Sequence, residues 1–164
     1  MVRPAVEGDI PSITRIYTHH VLNSVATFEL DPPAAEEMSR RWEAIRNNGY
    51  PYLVYEDASV VGYAYASPYR SRPAYRHTVE DSIYMDPSHS GKGYGAALLE
   101  ALIGECAALG FQQMIAVIGG GGGNTASIRL HQKLGFLHVG VLTGVGYKFG
   151  SAVDTVLMQL ALPS

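Results

Sequence analysis

Three glycines alternate with other residues just before a helix-forming stretch. In the segment SHSGKGYGAALLEAL, which begins at Ser88, they stand at Gly91, Gly93 and Gly95. Alternating glycines let the backbone present bare N–H groups, and the first N–H groups of a helix attract an anion. The spacing therefore predicts a phosphate-binding loop, and the alternative is a glycine-rich turn that binds nothing.

Two common phosphate loops fit this segment poorly. A Walker A loop requires Ser or Thr after its Gly-Lys pair, but here Gly93 follows Lys92. It also requires a glycine five residues before that pair, where this chain has Asp86. The dinucleotide fingerprint is matched by Gly91, Gly93 and Ala96, but the next predicted strand, QMIAVIGGGGG, supplies no acid for a ribose hydroxyl. A third kind of phosphate loop is therefore favoured.

Two adjacent carboxylates occupy the segment HTVEDSIYM, which is predicted to be a strand. Glu80 and Asp81 must point to opposite faces of that strand, so only one of them can face a given site. Glu80 shares its face with Ser82 and Tyr84 and is the preferred general base. The alternative is a structural carboxylate paired with a nearby arginine.

Composition restricts the class of protein. The 164 residues carry a formal net charge of −3 and no block of Lys or Arg, so no nucleic acid and no membrane is expected as a partner. We expect one domain over residues 1–164. The lone Cys106 allows no intrachain disulfide, so a cytoplasmic protein is expected. No metal is expected, because the histidines other than His131 show no metal-ligand spacing: His19, His20, His77, His89 and His138.

Periodicity predicts an α/β (α+β type) domain, with a mixed sheet flanked by helices in the order β-α-α-β-β-β-α-β-α-β-β. Asp9 is predicted to cap the first helix and Asn124 or Thr125 the last. The third helix is expected to bury an apolar stripe that ends at Leu109, and the strand QMIAVIG to be buried on both faces. The last two strands are predicted around residues 137–142 and 154–160.

Two segments resemble the GNAT acyltransferases. Residues 90–95, SGKGYG, are similar to the pyrophosphate loop Arg/Gln-x-x-Gly-x-Gly/Ala at both glycines, with Ser90 in place of Arg or Gln. Residues 124–136 resemble the family's Asn-to-Leu-Gly-Phe helix. More narrowly, ATFE, YRHTVEDSIY, SIRLHQKLGF and GYKFG resemble the phosphinothricin and methionine sulfoximine acetyltransferases. The resemblance implies a mostly antiparallel GNAT fold.

The same resemblance implies acetyl transfer from acetyl-CoA to the primary amine of a small amino-acid-like substrate. It implies that the cofactor is held by the end of the fourth strand, the glycine loop and the start of the last helix: Ile83, Tyr84, Met85, Gly91, Lys92, Gly93, Tyr94, Gly95, Ala96 and Asn124. Asn124 is alternatively a plain helix cap.

The resemblance also assigns catalytic roles. It supports Glu80 as the general base and makes His131 the general acid, in a position where the wider superfamily often has tyrosine. The alternative for His131 is a helix histidine bonded to backbone or water. For both residues the sequence leaves the structural role open.

Substrate contacts are implied for an arginine-bearing loop and for the break between the first two helices: Arg70, Arg72, Tyr75, Phe28 and Glu29. Arginine forks suit the carboxylate and phosphinate groups of such substrates. The alternative to substrate binding is that the arginines are solvated surface charges and that Phe28 packs in the core. In similar proteins the region that corresponds to GYKFG lies at a twofold interface, so the resemblance implies a homodimer.

Two other functions remain open at this stage. One is an acetyltransferase for a different amine, such as a peptide N-terminus, a polyamine or an aminoglycoside. The other is a non-catalytic module that senses acyl-CoA. An arginine-bearing acceptor loop argues against polycationic acceptors, which favour acidic pockets.

Overall fold

The computed structural model describes residues 1–120 and 124–164, so the last three glycines of the run at 119–123 lie outside it. The helices are α1 (Ile10–Asn23), α2 (Ala35–Asn47), α3 (Tyr94–Ala108) and α4 (Thr125–Lys133). The strands are β1 (Val2–Pro4), β2 (Tyr52–Asp57), β3 (Ser59–Pro68), β4 (Thr78–Met85), β5 (Gln113–Gly119), β6 (Leu137–Lys148) and β7 (Ser151–Ala161). The predicted order of elements is confirmed.

All the strands lie in one sheet, in the order β1-β2-β3-β4-β5-β7-β6. Neighbours are antiparallel except β4 and β5, which are parallel. The predicted mixed, mostly antiparallel sheet is therefore confirmed. Among the described residues, no helix is long and apolar enough to cross a bilayer.

Helices cover both faces of the sheet, because alternate strand residues are apolar on each face. On one face, Leu98, Leu99 and Leu102 of α3 are fully buried against the sheet. On the other face, Ile13 of α1 and Trp42 of α2 pack in a second cluster. These two helical layers leave the ends of the central strands open.

The third helix ends earlier than the predicted stripe requires. Leu109 is 57% exposed, so its assignment to the buried stripe is wrong. The helix stops at Ala108, and Gly110 takes a φ of +88°, which ends the helix before the chain enters β5.

Neither predicted helix cap acts through its side chain. The Asp9 carboxylate accepts the Val6 N–H at 2.9 Å and pairs with Arg3, so it fastens the loop before α1. Asn124 holds the N-cap position of α4, but its amide donates to the Gly119 carbonyl at 3.1 Å. In both cases a tertiary partner replaces the local helix N–H.

Two strand predictions also need correction. Val117 on β5 is 44% exposed, so that strand is not buried on both faces. The β6–β7 hairpin is longer than predicted, because Phe149 and Gly150 form a tight turn with φ of +53° and +78°. The GYKFG segment is therefore the tip of this hairpin.

Candidate functional site

The parallel strands β4 and β5 separate part of the way along their length. Their pairing runs from Thr78 to Asp81 on β4 and ends opposite Ala116 on β5. Beyond this point β5 continues to pair with β7, whereas the last four residues of β4 pair only with β3. The split leaves the facing edges of both strands without a strand partner among the described residues. Val117 is exposed because it lies on this open edge.

A cleft of about 440 Å³ runs from the split to the glycine loop at the start of α3. All the positions predicted to hold a cofactor line it: Ile83, Tyr84, Met85, Gly91, Lys92, Gly93, Tyr94, Gly95, Ala96 and Asn124. Residues that are up to 41 positions apart in the chain thus share one cavity, which has the mixed polar and apolar lining of a small-molecule site.

The glycine loop has the conformation that its sequence predicts. Gly91 and Gly93 have φ of +77° and +81°, and Gly93 is the residue immediately before α3. A Cβ at either position would meet no atom within 4 Å, so the conformation and not crowding requires glycine. The loop therefore directs backbone N–H groups and the positive end of α3 toward the cleft.

Ser90 and Tyr94 shape the loop from within the protein. The Ser90 hydroxyl donates to the Pro87 carbonyl at 2.9 Å and so secures the turn before the loop. The Tyr94 hydroxyl donates to Asp57 at 2.8 Å, and its ring stacks on Tyr55 with centroids 4.2 Å apart. These contacts fix the first turn of α3 to the β2–β3 hairpin.

The two adjacent carboxylates lie on opposite faces of β4, as the strand period predicts. Asp81 borders the cleft, whereas Glu80 lies on the α1–α2 side with Tyr84. Among the described residues, no ion pair or side-chain hydrogen bond engages Glu80, so the arginine-paired structural role has no support. Burial, with a smaller contribution from the Asp81 charge, raises the pKa of Glu80 above its ordinary value of 4.5.

Asp81 forms a buried pair with His131 of α4. The distance from Asp81 Oδ2 to His131 Nε2 is 2.7 Å, and the side chains are 1% and 2% exposed. His131 Nδ1 lies 2.7 Å from the Ser127 carbonyl oxygen. Burial alone lowers the pKa of His131, but the hydrogen bond and charge of Asp81 together with the Ser127 carbonyl raise it above its ordinary value.

The predicted substrate residues lie in two places. Arg70, Arg72 and Tyr75 line a separate, strongly polar pocket with Tyr69 and Ser71. Phe28 and Glu29 lie in the loop between α1 and α2. Phe28 is 38% exposed, and its ring leaves no room for a Cβ at Gly119 or Gly146, so it is partly packed against β5 and β6.

Glu29 is already engaged within the protein. Its carboxylate accepts from the Arg41 guanidinium and from the Tyr17 hydroxyl, the latter at 2.7 Å. The hydrogen bond from Arg41 holds the pKa of Glu29 below its ordinary value, despite partial burial. This anchoring fixes the loop that carries Phe28.

Sequence reasoning missed two residues near the cleft. His20 on α1 lines the cleft, with Nε2 2.8 Å from the Met85 carbonyl oxygen. Lys148 at the hairpin tip is buried, and its Nζ donates to the carbonyls of Ser24 and Thr27 at 2.7 and 2.8 Å. Lys148 explains part of the GYKFG pattern, since it joins the hairpin to the α1–α2 loop. Neither contact has a local signal, because its partners are distant in sequence.

A mixed sheet that splits between two parallel strands, with a glycine loop at the start of the next helix, is the architecture of an N-acyltransferase. The sequence pattern of the acetyltransferase (GNAT) family matches residues 14–136. The chain belongs to the GNAT acetyltransferase family, and the predicted fold and class of enzyme are confirmed.

Individual relatives cover nearly the whole chain. A phosphinothricin N-acetyltransferase of Alcaligenes faecalis is 49% identical over 98% of this chain and 82% of its own length. An L-methionine sulfoximine/L-methionine sulfone acetyltransferase of Salmonella typhimurium is 41% identical over 98% of this chain and 94% of its own. The crystal structure of a Sinorhizobium meliloti phosphinothricin acetyltransferase in complex with AcCoA superposes with a TM-score of 0.96, at 52% identity and with 99% and 88% of the two chains covered. The narrower resemblance found in the sequence is therefore confirmed.

Proposed function

We propose that this protein transfers the acetyl group of acetyl-CoA to the primary amine of a small amino-acid-like acceptor of the phosphinothricin and methionine sulfoximine class. The observation that carries the proposal is the single cleft that joins the β4–β5 split to the glycine loop. The named activities of relatives at 49% and 41% identity support the acceptor class.

In this proposal the cleft holds acetyl-CoA, which supplies the activated acetyl group as a thioester. Backbone N–H groups of the loop around Gly91 and Gly93, with the α3 N-terminus, bind the pyrophosphate, and Lys92 adds a positive charge. The unpaired edge of Ile83, Tyr84 and Met85 pairs with the amides of the pantetheine arm. Lys92, Tyr94, Gly95, Ala96 and Asn124 complete the lining.

Glu80 is proposed as the general base, acting through a water molecule on the acceptor amine. Its raised pKa makes it a stronger base than an exposed carboxylate, and it has no partner among the described residues to compete for the proton. A backbone N–H at the β4 end stabilises the oxyanion. His131 is proposed as the general acid.

Acceptor recognition is proposed for the loop of Arg70, Arg72 and Tyr75. Neither arginine forms an ion pair within the part of the chain that the structure describes, so both guanidinium forks are available to carboxylate or phosphinate oxygens. Phe28 and Glu29 border the acceptor from the α1–α2 loop, with Glu29 fixed by Arg41.

The experiment that tests this function is CoA thiol release from acetyl-CoA with a panel of amines. The panel contains phosphinothricin, methionine sulfoximine, methionine sulfone, glutamate, spermidine, an aminoglycoside and a short peptide. Saturable release with the amino-acid analogues alone is expected. Release with the cations or the peptide alone would refute the acceptor class, and acetyl-CoA binding without release would indicate a sensor.

Arg72→Gln is expected to raise the KM for phosphinothricin about tenfold or more, since a hydrogen bond to a charged group contributes about 1.5–3 kcal/mol. The affinity for acetyl-CoA should not change. The matched control is Arg76→Gln, because Arg76 belongs to the same loop but does not line the pocket and bonds only to the Pro73 carbonyl. Equal effects of the two substitutions would contradict a specific contact at Arg72.

A homodimer and a cytoplasmic location are also proposed. β6 is the edge strand of the sheet, and the apolar side chains exposed along its length form a row that two bulges interrupt: Leu137, Val139, Val141, Val145 and Tyr147. A second copy covering this row would remove an aggregation-prone edge. The cytoplasmic location is supported by the buried, unreactive thiol of Cys106, whose pKa burial raises to about 12.

Sedimentation equilibrium is expected to give about twice the mass of one chain. Val141→Asp should shift the protein toward monomers, since it places a charge in the middle of the apolar row. Val6→Asp, at an exposed position outside the row, is the control. A monomeric wild-type protein would contradict the dimer.

A further inference from the structure

Asp81 lies at the point where the sheet divides. It is the last residue of β4 that pairs with β5, and its side chain and that of His131 form the buried end of the cleft. A group that reaches the inner end of the split lies beside this pair. Its protonation state therefore determines the charge at the inner end of the site.

The number of protons on the pair follows from its hydrogen bonds. A backbone carbonyl can only accept, so the short contact with Ser127 requires a proton on His131 Nδ1. The 2.7 Å contact between Nε2 and Asp81 requires a second proton, whichever of the two atoms carries it. The pair thus holds one proton more than a neutral imidazole and a carboxylate together.

The environment of Asp81 favours retention of that proton. Its other oxygen, Oδ1, is buried and has no hydrogen-bond partner among the described residues. A buried carboxylate that lacks such partners is costly unless a positive charge lies beside it. The imidazolium of His131 provides that charge, so each member of the pair stabilises the ionised form of the other.

We propose that Asp81 is the positioning residue that keeps a transferable proton on His131, and that the pair delivers it to the departing sulfur. The inference rests on the proposed acetyl transfer. The C–N bond forms, the C–S bond breaks, and its electron pair goes to sulfur, which takes the shared proton. The acceptor nitrogen loses a proton toward Glu80, and solvent reprotonates the pair after the thiol leaves.

This assignment makes Asp81 essential to the role of His131. With a proton on each imidazole nitrogen, as proposed, the ring has no bare nitrogen and cannot serve as a base. Without Asp81, the bond to Ser127 would still fix a proton on Nδ1, and Nε2 would lose its proton near neutral pH. The thiolate would then have to leave unprotonated.

The first test is ¹⁵N NMR of histidine-labelled protein without ligands at pH 7. The wild-type ring of His131, assigned by comparison with His131→Gln, should show protons on both nitrogens. In Asp81→Asn it should show one bare nitrogen, whereas Asp31→Asn, at an exposed position, should change nothing. A wild-type ring with one bare nitrogen would overturn the proposal and leave acetyl transfer standing.

The second test compares two acyl donors, acetyl-CoA and the acetyl thioester of an aromatic thiol, whose thiolate leaves without protonation. Asp81→Asn should lower turnover of acetyl-CoA about 10²-fold, within the range for general acid catalysis, and leave turnover of the aryl thioester unchanged. His131→Gln, which retains a hydrogen bond to Asp81, should give the same pattern if Asp81→Asn does not fold.

Equal losses with both donors would indicate a structural role and overturn the proposal. Absence of turnover by the wild-type protein with every acceptor would instead overturn the proposed function. The NMR experiment counts the protons on His131 without requiring turnover. A failure of this proposal can therefore be distinguished from a failure of the proposed function.

Discussion

Glu80→Gln is expected to lower kcat for acetyl transfer about 10²- to 10³-fold, because the amide can accept no proton from the acceptor amine. The dissociation constant of acetyl-CoA should not change, since Glu80 is not among the residues that line the cofactor cleft. Steady-state rates and calorimetric titration with CoA measure the two quantities separately.

The pH profile provides a second measurement of Glu80. Burial raises the pKa of this carboxyl, so the wild-type rate should rise with pH through a value above 4.5 and level off once the carboxylate is ionised. In Glu80→Gln this limb should disappear, and the rate should rise only where the acceptor amine loses its proton in solution. The rising limb is therefore expected at higher pH in the variant.

Glu100→Gln is the matched control, because Glu100 is exposed on α3 and does not line the cleft. It should retain the wild-type rate and pH profile. If Glu80→Gln also retained both, another group would have to be the base. A loss of CoA affinity in Glu80→Gln would show instead that the substitution disturbs the split between the strands.

Gly93→Val is expected to weaken acetyl-CoA binding about thirtyfold, since a β-branched residue at a left-handed position costs about 2 kcal/mol. Gly93 has a φ of +81° directly before α3. Relief of the strain would rotate the peptide units that direct N–H groups into the cleft. Calorimetric titration with CoA measures the loss.

Gly104→Val separates this effect from a general cost of valine. Gly104 lies inside α3, and an added Cβ there would meet no atom within 4 Å. This variant should bind CoA like the wild type, with a similar thermal midpoint. Normal CoA affinity in Gly93→Val would show that the loop does not hold the pyrophosphate.

Local sequence predicted the elements and their faces well. β-branched and aromatic residues predicted the strand at β4, and Glu80 and Asp81 were placed on opposite faces because adjacent side chains of a strand alternate. The helical spacing of α1 and α3 likewise identified buried faces. The glycines at positions 91 and 93 predicted a loop of bare backbone N–H groups, and both take a left-handed φ that few other residues adopt.

Predictions failed where a tertiary partner competed with a local one. Asp9 pairs with Arg3 instead of capping α1 through its side chain, and the Asn124 amide donates to the Gly119 carbonyl at the end of β5. Val117 appeared as apolar as its neighbours, yet it is exposed because β4 leaves β5 at that point. A propensity scale cannot report where a neighbouring strand ends its pairing.

The sequence by itself determined the order of the elements, the opposite faces of the two carboxylates, the glycine loop and the family resemblance. The first three depend on residues within one or two turns or strand periods of each other, and the resemblance depends on motifs along the chain that can be recognised without knowing which of them touch. Only the tertiary structure decided that Asp81 contacts His131, 50 positions away, and that Lys148 reaches Ser24 across 124 positions. Such contacts form because the sheet and α4 bring distant segments together, and local periodicity specifies a face but not the partner that covers it.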